Sequence, residues 1–157
     1  MFHYKCNMTY KTPQLAKILQ VSERKLIDWC EKGIILADIQ EADGYASRRE
    51  FSYRGILRAG LALALKDNFR IPRDFIKSIV ASLWLRGFFS EWEQGESGFL
   101  SIANPHDPGR MTWYYLPSDF SSDYKAWGWL WKNIEAFLVI DLGPIKERID
   151  RELSAIT

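Results

Sequence analysis

Residues 12–33 constrain the fold most, because they carry start and stop signals for two short consecutive helices. We predict that Thr12 is an N-cap, with Pro13 at the first helical position. Ser22 is predicted to cap a second helix, and Gly33 to adopt positive φ where that helix ends. Apolar residues recur at helical spacing in both halves, namely Leu15, Ile18, Leu19, Leu26, Trp29 and Cys30. The stretch therefore predicts a helix-turn-helix with one buried face.

Two short extended runs around Asp43-Gly44 follow, and this pattern predicts a β-wing that ends near Phe51. Ser52 is a predicted cap for a third helix that runs to about Lys66. Residues 59–65 of that helix are almost all small or apolar, which predicts close packing on two sides. Pro72 fits the first turn of a fourth helix.

This order of features resembles the MerR family of winged helix-turn-helix DNA-binding regulators. The resemblance is carried by Leu15, Ala16, Val21, Ser22, Arg24, Leu26, Trp29, Gly33, Gly44, Tyr45, Arg49, Phe51, Ser52, Tyr53 and Arg54. It implies a DNA-binding domain at residues 1–86. The family usually continues into a long dimerisation helix, but here Gly87 and several later glycines and prolines interrupt the sequence. A dimer is therefore expected through another surface.

Residues 87–157 have a different character. They contain three predicted strands, at 98–103, 111–116 and 136–140, and a final helix that opens at Pro144. That helix is expected either to cover the small sheet or to pair with a second subunit. We predict an α+β protein in which this small α/β part mediates dimerisation or binds an effector or partner.

The net charge of +1 conceals an asymmetry between the halves. Residues 1–80 hold 14 basic and 9 acidic side chains, whereas residues 81–157 hold 7 and 11. A basic half with a helix-turn-helix is typical of a DNA-binding region. No apolar run reaches membrane-spanning length, so we expect a cytoplasmic protein without a membrane partner.

Side chains near the start of a recognition helix reach base edges in the major groove, and basic wing residues contact phosphates. The predicted DNA-binding residues are Thr12, Ser22, Arg24, Lys25, Asp28, Tyr45, Arg48, Arg49 and Arg54. Asp28 has two interpretations: it accepts from cytosine, or it orients Arg24 from one turn away. Ile27 stands where many MerR-like proteins carry a basic residue, which argues against the family's contact at that position.

Aromatic side chains in the second half suggest a ligand pocket for an aromatic or cationic effector. The candidates are Trp113, Tyr115, Trp127 and Trp129. The alternative is that they form the core of a small domain. The two histidines, His3 and His106, lie in no catalytic or metal-ligand pattern. We therefore expect no enzyme activity, no metal and no cofactor.

These features favour a sequence-specific transcriptional regulator that binds double-stranded DNA as a homodimer. Two alternatives remain open. One is an excisionase-like or architectural protein that bends DNA. The other is a protein-interaction module whose winged helix has lost DNA affinity, which the acidic residues Glu23, Asp28 and Glu31 would favour.

Overall fold

The computed structural model describes residues 8–40, 49–95, 98–103, 112–117 and 137–156. Within these ranges the chain is of the α+β class, with six helices and two small antiparallel sheets. In chain order the elements are β1 (Tyr10–Lys11), α1 (Thr12–Leu19), α2 (Glu23–Glu31), β2 (Glu50–Phe51), α3 (Tyr53–Asp67), α4 (Arg73–Leu85), α5 (Phe88–Gln94), β3 (Gly98–Ala103), β4 (Thr112–Pro117), β5 (Phe137–Asp141) and α6 (Gly143–Ser154).

The first two helices form where their sequence signals predict, with one displacement. Lys11, not Thr12, is the N-cap of α1, and its backbone N–H donates to Gln14 Oε1 at 2.9 Å. Thr12 is already helical, so its predicted capping role is wrong by one residue. The six predicted inward residues, Leu15, Ile18, Leu19, Leu26, Trp29 and Cys30, are all buried.

Helix α3 is the centre of the molecule, as its two-sided apolar sequence predicts. It packs against α4, α5 and α6, and all but one of its residues before Lys66 are buried. Gly60 permits the close approach of α6, since a Cβ there would lie 2.8 Å from Ile149 Cδ1. Ser52 caps the helix, because its Oγ accepts from the backbone N–H of Gly55 at 3.1 Å. At 15 residues, α3 is the longest helix in the described ranges.

Helix α5 was not predicted. Gly87 has a φ of +78° and ends α4, yet a new helix begins at the next residue. Its side chains Phe88, Phe89 and Trp92 are fully or almost fully buried and pack against one another. The sequence signal was present as an apolar pair followed by a third apolar residue one helical turn later.

The second sheet has the order β4-β3-β5 and is antiparallel throughout, which confirms the predicted strands with small shifts at their ends. Leu100 and Ile102 of the central strand are fully buried. The predicted turn between the first two strands, at residues 104–109, lies outside the described residues.

The last helix, α6, packs mainly against α3 and α1. Ile145, Ile149 and Leu153 form its buried face. The expectation that it covers the small sheet or pairs with a second subunit is therefore corrected: its apolar face already has a partner in the first half of the chain. The buried core runs without a break across residue 86. The division into 1–86 and 87–157 stays a prediction.

The polar contacts of α6 strengthen this attachment. The Lys146 ammonium donates to the carbonyl oxygens of Trp92, Glu93 and Gly95 at 3.0, 3.3 and 2.6 Å, and thus caps the C-terminal end of α5. Tyr53 Oη donates to Asp150 Oδ1 at 2.8 Å. Among the described helices, none is both long and apolar enough to cross a membrane.

Candidate nucleic-acid interface

Helix α2 has one buried face and one face open to solvent. Leu26 and Trp29 hold it against the core and are at most 2% exposed. The exposed side chains of the helix are Glu23, Arg24, Ile27 and Glu31, while Lys25 and Asp28 lie at the margin of this face. The name "outer face of α2" is used below for these six residues.

The turn between α1 and α2 fixes how this face is presented. Gln20 ends α1 in the left-handed conformation, with a φ of 56°. Ser22 then caps α2 as predicted, because its Oγ accepts from the backbone N–H of Lys25 at 3.2 Å. Gly33 has the predicted positive φ of 65° beyond the end of the helix. Only three residues, 20–22, separate the two helices.

Arg24 is the most available cation of the outer face. It is exposed in the first turn of α2. Within the part of the chain that the structure describes, its guanidinium makes no ion pair. All its donors are thus free to contact a ligand outside the chain.

Lys25 is held by the chain itself. Its Nζ lies 3.3 and 3.4 Å from the carboxylate oxygens of Asp67 at the end of α3, and 5.8 Å from the ring centroid of Trp29. Both partners of the ion pair are partly exposed, so the pair is weak and can open. A contact between Lys25 and DNA requires that opening.

Asp28 does not orient Arg24, so this interpretation of its role is corrected. Its carboxylate instead pairs with Lys32 one turn later and lies 3.9 Å from Arg73 Nη1 of α4. The hydrogen bond from Lys32 lowers the pKa of Asp28 below its usual value. Two cations therefore compete with any cytosine for this carboxylate.

Arg54 was predicted to contact phosphate, but its guanidinium is already paired within the chain. Nη2 and Nε lie 2.8 and 3.1 Å from Glu93 Oε2 of α5. The Glu93 side chain is only 11% exposed, which shields the pair from solvent. Arg54 thus joins α3 to α5. A phosphate contact would have to break this ion pair, and the assignment of Arg54 to the DNA interface stays a prediction.

An isolated antiparallel bridge lies beside these helices, at the position where the sequence predicts the base of a wing. Gln40 and Glu50 form an antiparallel bridge, with Glu50 N–H donating to Gln40 O at 2.9 Å. Glu50 of β2 also lies opposite Lys11 of β1 in the antiparallel two-stranded sheet. Arg49 is half-buried and its Nε is shielded from solvent. The predicted contacts Tyr45 and Arg48 lie outside the described residues.

The structure describes the side-chain surroundings of one residue of the predicted aromatic pocket, Tyr115. Tyr115 of β4 packs edge-on against Phe88, with ring centroids 5.9 Å apart, and burial raises the pKa of its phenol. It therefore contributes to packing between the sheet and α5. Trp113 belongs to the same strand. Trp127 and Trp129 lie outside the described residues.

A cavity of about 300 Å³ lies elsewhere, between the α1–α2 turn, the end of α3 and the start of α6. Its lining includes Val21, Leu63, Asp67, Ile145 and Arg148. In the described ranges, no three potential metal ligands lie close enough together to bind an ion.

No known protein-family model matches this chain, and no curated protein sequence is significantly similar to it. The functional argument therefore depends on the geometry of the outer face of α2 and of the segments around it.

Proposed function

We propose that this protein is a sequence-specific DNA-binding transcriptional regulator of the MerR-like, winged helix-turn-helix type. In this proposal α2 is the recognition helix. The observation that carries it is the exposed Arg24, which has no ionic partner among the described residues and lies in the first turn of a helix whose opposite face is anchored in the core. A guanidinium in that position suits the O6 and N7 acceptors of guanine in the major groove.

The surrounding backbone supports this placement. The bridge between Gln40 and Glu50 is a suitable base for a wing formed by residues 41–48, which would carry Tyr45 and Arg48 toward the phosphates. The capped start of α2 presents backbone N–H groups, and helix N-termini attract phosphate anions. Thr12 and Ser22 would contribute backbone contacts of this kind.

The charge balance of the outer face limits the affinity that one copy can reach. Lys25 and Asp28 are each paired within the chain, so their contacts with DNA must replace existing ion pairs. One recognition helix also reads few base pairs. We therefore propose a homodimer that reads two half-sites, and we expect each copy to neutralise few phosphates.

The experiment is selection from a random double-stranded DNA library at about 50 mM and about 200 mM salt, followed by sequencing of the retained fraction. The proposal predicts enrichment of a motif with two-fold symmetry and weaker retention at the higher salt. Salt-sensitive retention without an enriched motif would contradict sequence-specific regulation and favour an architectural role.

A second candidate function is supported by one specific observation. Ile27 lies at the centre of the outer face and is 37% exposed, with the acidic Glu23 and Glu31 on the same helix. An exposed apolar residue between acidic ones suits a protein surface better than a phosphate backbone. If no duplex is retained even at low salt, α2 is a protein-interaction helix and the DNA proposal fails.

A further inference from the structure

Helix α2 carries two unlike rows of side chains along its exposed surface. One row consists of Glu23, Ile27 and Glu31, which follow one another at intervals of four residues and are all exposed. Neither glutamate makes an ion pair with any other residue that the structure describes. Ile27 is 37% exposed and is the one large apolar side chain of α2 outside the core. The name "acidic row" is used below for these three residues.

The cations lie along the other side of the helix. Lys25 and Lys32 are seven residues apart, so they lie one above the other at a separation of about two turns. Helix α4 adds Arg73, whose Nη1 lies 3.9 Å from Asp28 Oδ2. Phosphates favour this basic side, because the cations offset their negative charge.

The acidic row is unsuited to phosphate but suited to base edges in the major groove. A phosphate over Ile27 would lie beside two carboxylates and would find no cation in this row. Base edges instead offer amino groups from which carboxylates accept, and thymine offers a C5-methyl group that an apolar side chain contacts. When the basic side follows the phosphates, the acidic row is turned toward the bases.

The position of Ile27 is fixed well enough to recognise a single methyl group. Its neighbours Leu26 and Trp29 are at most 2% exposed, so the backbone that carries Ile27 is anchored in the core. A β-branched side chain in a helix also has one strongly preferred χ1 rotamer. Little conformational freedom is therefore lost when Ile27 contacts a ligand.

Arg24 limits where such a methyl group must lie. It precedes Ile27 by three residues, so the two side chains are neighbours on the helix surface, about 4.5 Å apart along the axis. Successive base pairs are about 3.4 Å apart. We propose, on the basis of the DNA-binding function above, that Ile27 determines specificity by contacting the C5-methyl group of a thymine. This thymine lies within about two base pairs of the guanine that Arg24 binds.

Replacement of thymine by deoxyuridine tests this contact, because uracil keeps the O4 acceptor and lacks the methyl group. Each thymine of the selected duplex is replaced in turn, and fluorescence anisotropy measures the affinity of the unchanged chain and of Ile27→Ala. At one thymine of each half-site, the replacement should weaken binding of the unchanged chain by about three- to fivefold, as expected for one methyl group removed from contact. The same replacement should leave the affinity of Ile27→Ala unchanged.

Leu85→Ala is the matched control. It removes an 85% exposed apolar side chain from the end of α4, and it should keep the full response to deoxyuridine. Circular dichroism of each variant verifies that the fold is retained. Ile27→Ala should fold normally, because substitutions of exposed side chains usually change stability little.

The outcomes separate this assignment from the DNA-binding function itself. If the selected motif has no thymine within about two base pairs of its enriched guanine, the assignment of Ile27 is overturned. Equal losses of affinity by the unchanged chain and by Ile27→Ala at every thymine would overturn it as well. In both cases, binding that depends on Arg24 would leave the DNA-binding function standing. If no duplex is retained at all, both fail together.

Discussion

The outer face of α2 and the start of α3 both carry an arginine that the sequence assigns to DNA contact, yet the two regions differ in what surrounds that arginine. Arg24 is exposed, and in the described chain it has no ionic partner. Arg54 binds Glu93 of α5, and its neighbour Tyr53 binds Asp150 of α6. The start of α3 is therefore a junction at which three helices are held together by polar contacts.

Under the DNA-binding proposal, a cation that is free to bind should contribute more to affinity than one that is already paired. A paired guanidinium must lose one partner before it gains another, whereas an unpaired one loses only water. We therefore expect variants of the outer face of α2 to change DNA affinity, and variants of the α3 junction to change stability.

The largest effect is expected from Arg24→Ala. Loss of a bidentate contact with guanine should weaken binding to the selected duplex by about 1–3 kcal/mol, which is roughly 5- to 150-fold. The free energy of unfolding should change by less than about 0.5 kcal/mol, because the side chain is exposed. Fluorescence anisotropy and urea unfolding measure the two quantities, with Arg151→Ala as the control. If Arg24→Ala lowered stability and left DNA affinity unchanged, the expected difference between Arg24 and Arg54 would be contradicted.

Arg54→Gln should lower the stability of the fold and leave DNA affinity nearly unchanged. It removes the cation that faces the largely buried Glu93 carboxylate, and we expect a loss of about 1–2 kcal/mol in the free energy of unfolding. DNA affinity should stay within about twofold, since the guanidinium does not face the ligand in this account. Urea unfolding of Arg54→Gln, Glu93→Gln and the double variant measures the pair. Additive losses would show that the ion pair does not join α3 to α5.

Tyr53→Phe tests the contact between Tyr53 and Asp150 through the pH dependence of the free energy of unfolding. Burial, followed by the hydrogen bond to Asp150, raises the pKa of the Tyr53 phenol above its ordinary value of 10.0. The folded chain therefore keeps this proton after the unfolded chain has lost it, so stability falls as pH rises above about 10. The variant should be about 1 kcal/mol less stable at neutral pH, because the hydrogen bond is lost.

Above pH 10 this difference between the unchanged chain and Tyr53→Phe should shrink, since the variant has no phenol to titrate. Urea unfolding at pH 7 and at pH 11 measures it. A constant difference across that range would mean that the phenol titrates alike in both states.

The smallest effect is expected from Asp67→Asn. The substitution releases Lys25 and removes a negative charge beside α2, so DNA affinity should increase by about two- to fivefold, more at low salt. Anisotropy titrations at two salt concentrations measure it. Asp74→Asn removes an exposed carboxylate from the first turn of α4 and is the matched control. Lower affinity in Asp67→Asn would show that the ion pair positions Lys25 for DNA contact.

Local chemistry was sufficient to predict where most elements begin and end. Ser22 and Ser52 cap their helices through the expected side-chain contacts, and Gly33 adopts the left-handed φ. Each of these signals acts within about one helical turn, so neighbouring residues alone determine it. The predicted N-cap of α1, Thr12, is one residue too late. Lys11 N–H donates to Gln14 Oε1, and this hydrogen bond forms at the start of α1 without a threonine hydroxyl.

Contacts between distant residues could not be predicted in the same way. Nothing near Arg54 in the sequence indicates Glu93 as its partner, and nothing near Ile149 indicates that α6 packs on Gly60. Periodicity shows that a helix has an apolar face, but it does not show which surface covers that face. The cavity beside Arg148 arises from three elements far apart in the chain, so it is visible only in the folded structure.

The central claim is that α2 enters the major groove and that Arg24 reads guanine there. The most direct test is a double-mutant cycle between Arg24→Ala and replacement of guanine by 7-deazaguanine, one position at a time, in the selected duplex. This base lacks the N7 acceptor. Its introduction should therefore weaken binding of the unchanged chain, which has Arg24, and should not weaken binding of Arg24→Ala. The account predicts a coupling of about 1–3 kcal/mol at one guanine of each half-site. Additive effects at every guanine, or no measurable binding to any duplex, would contradict it.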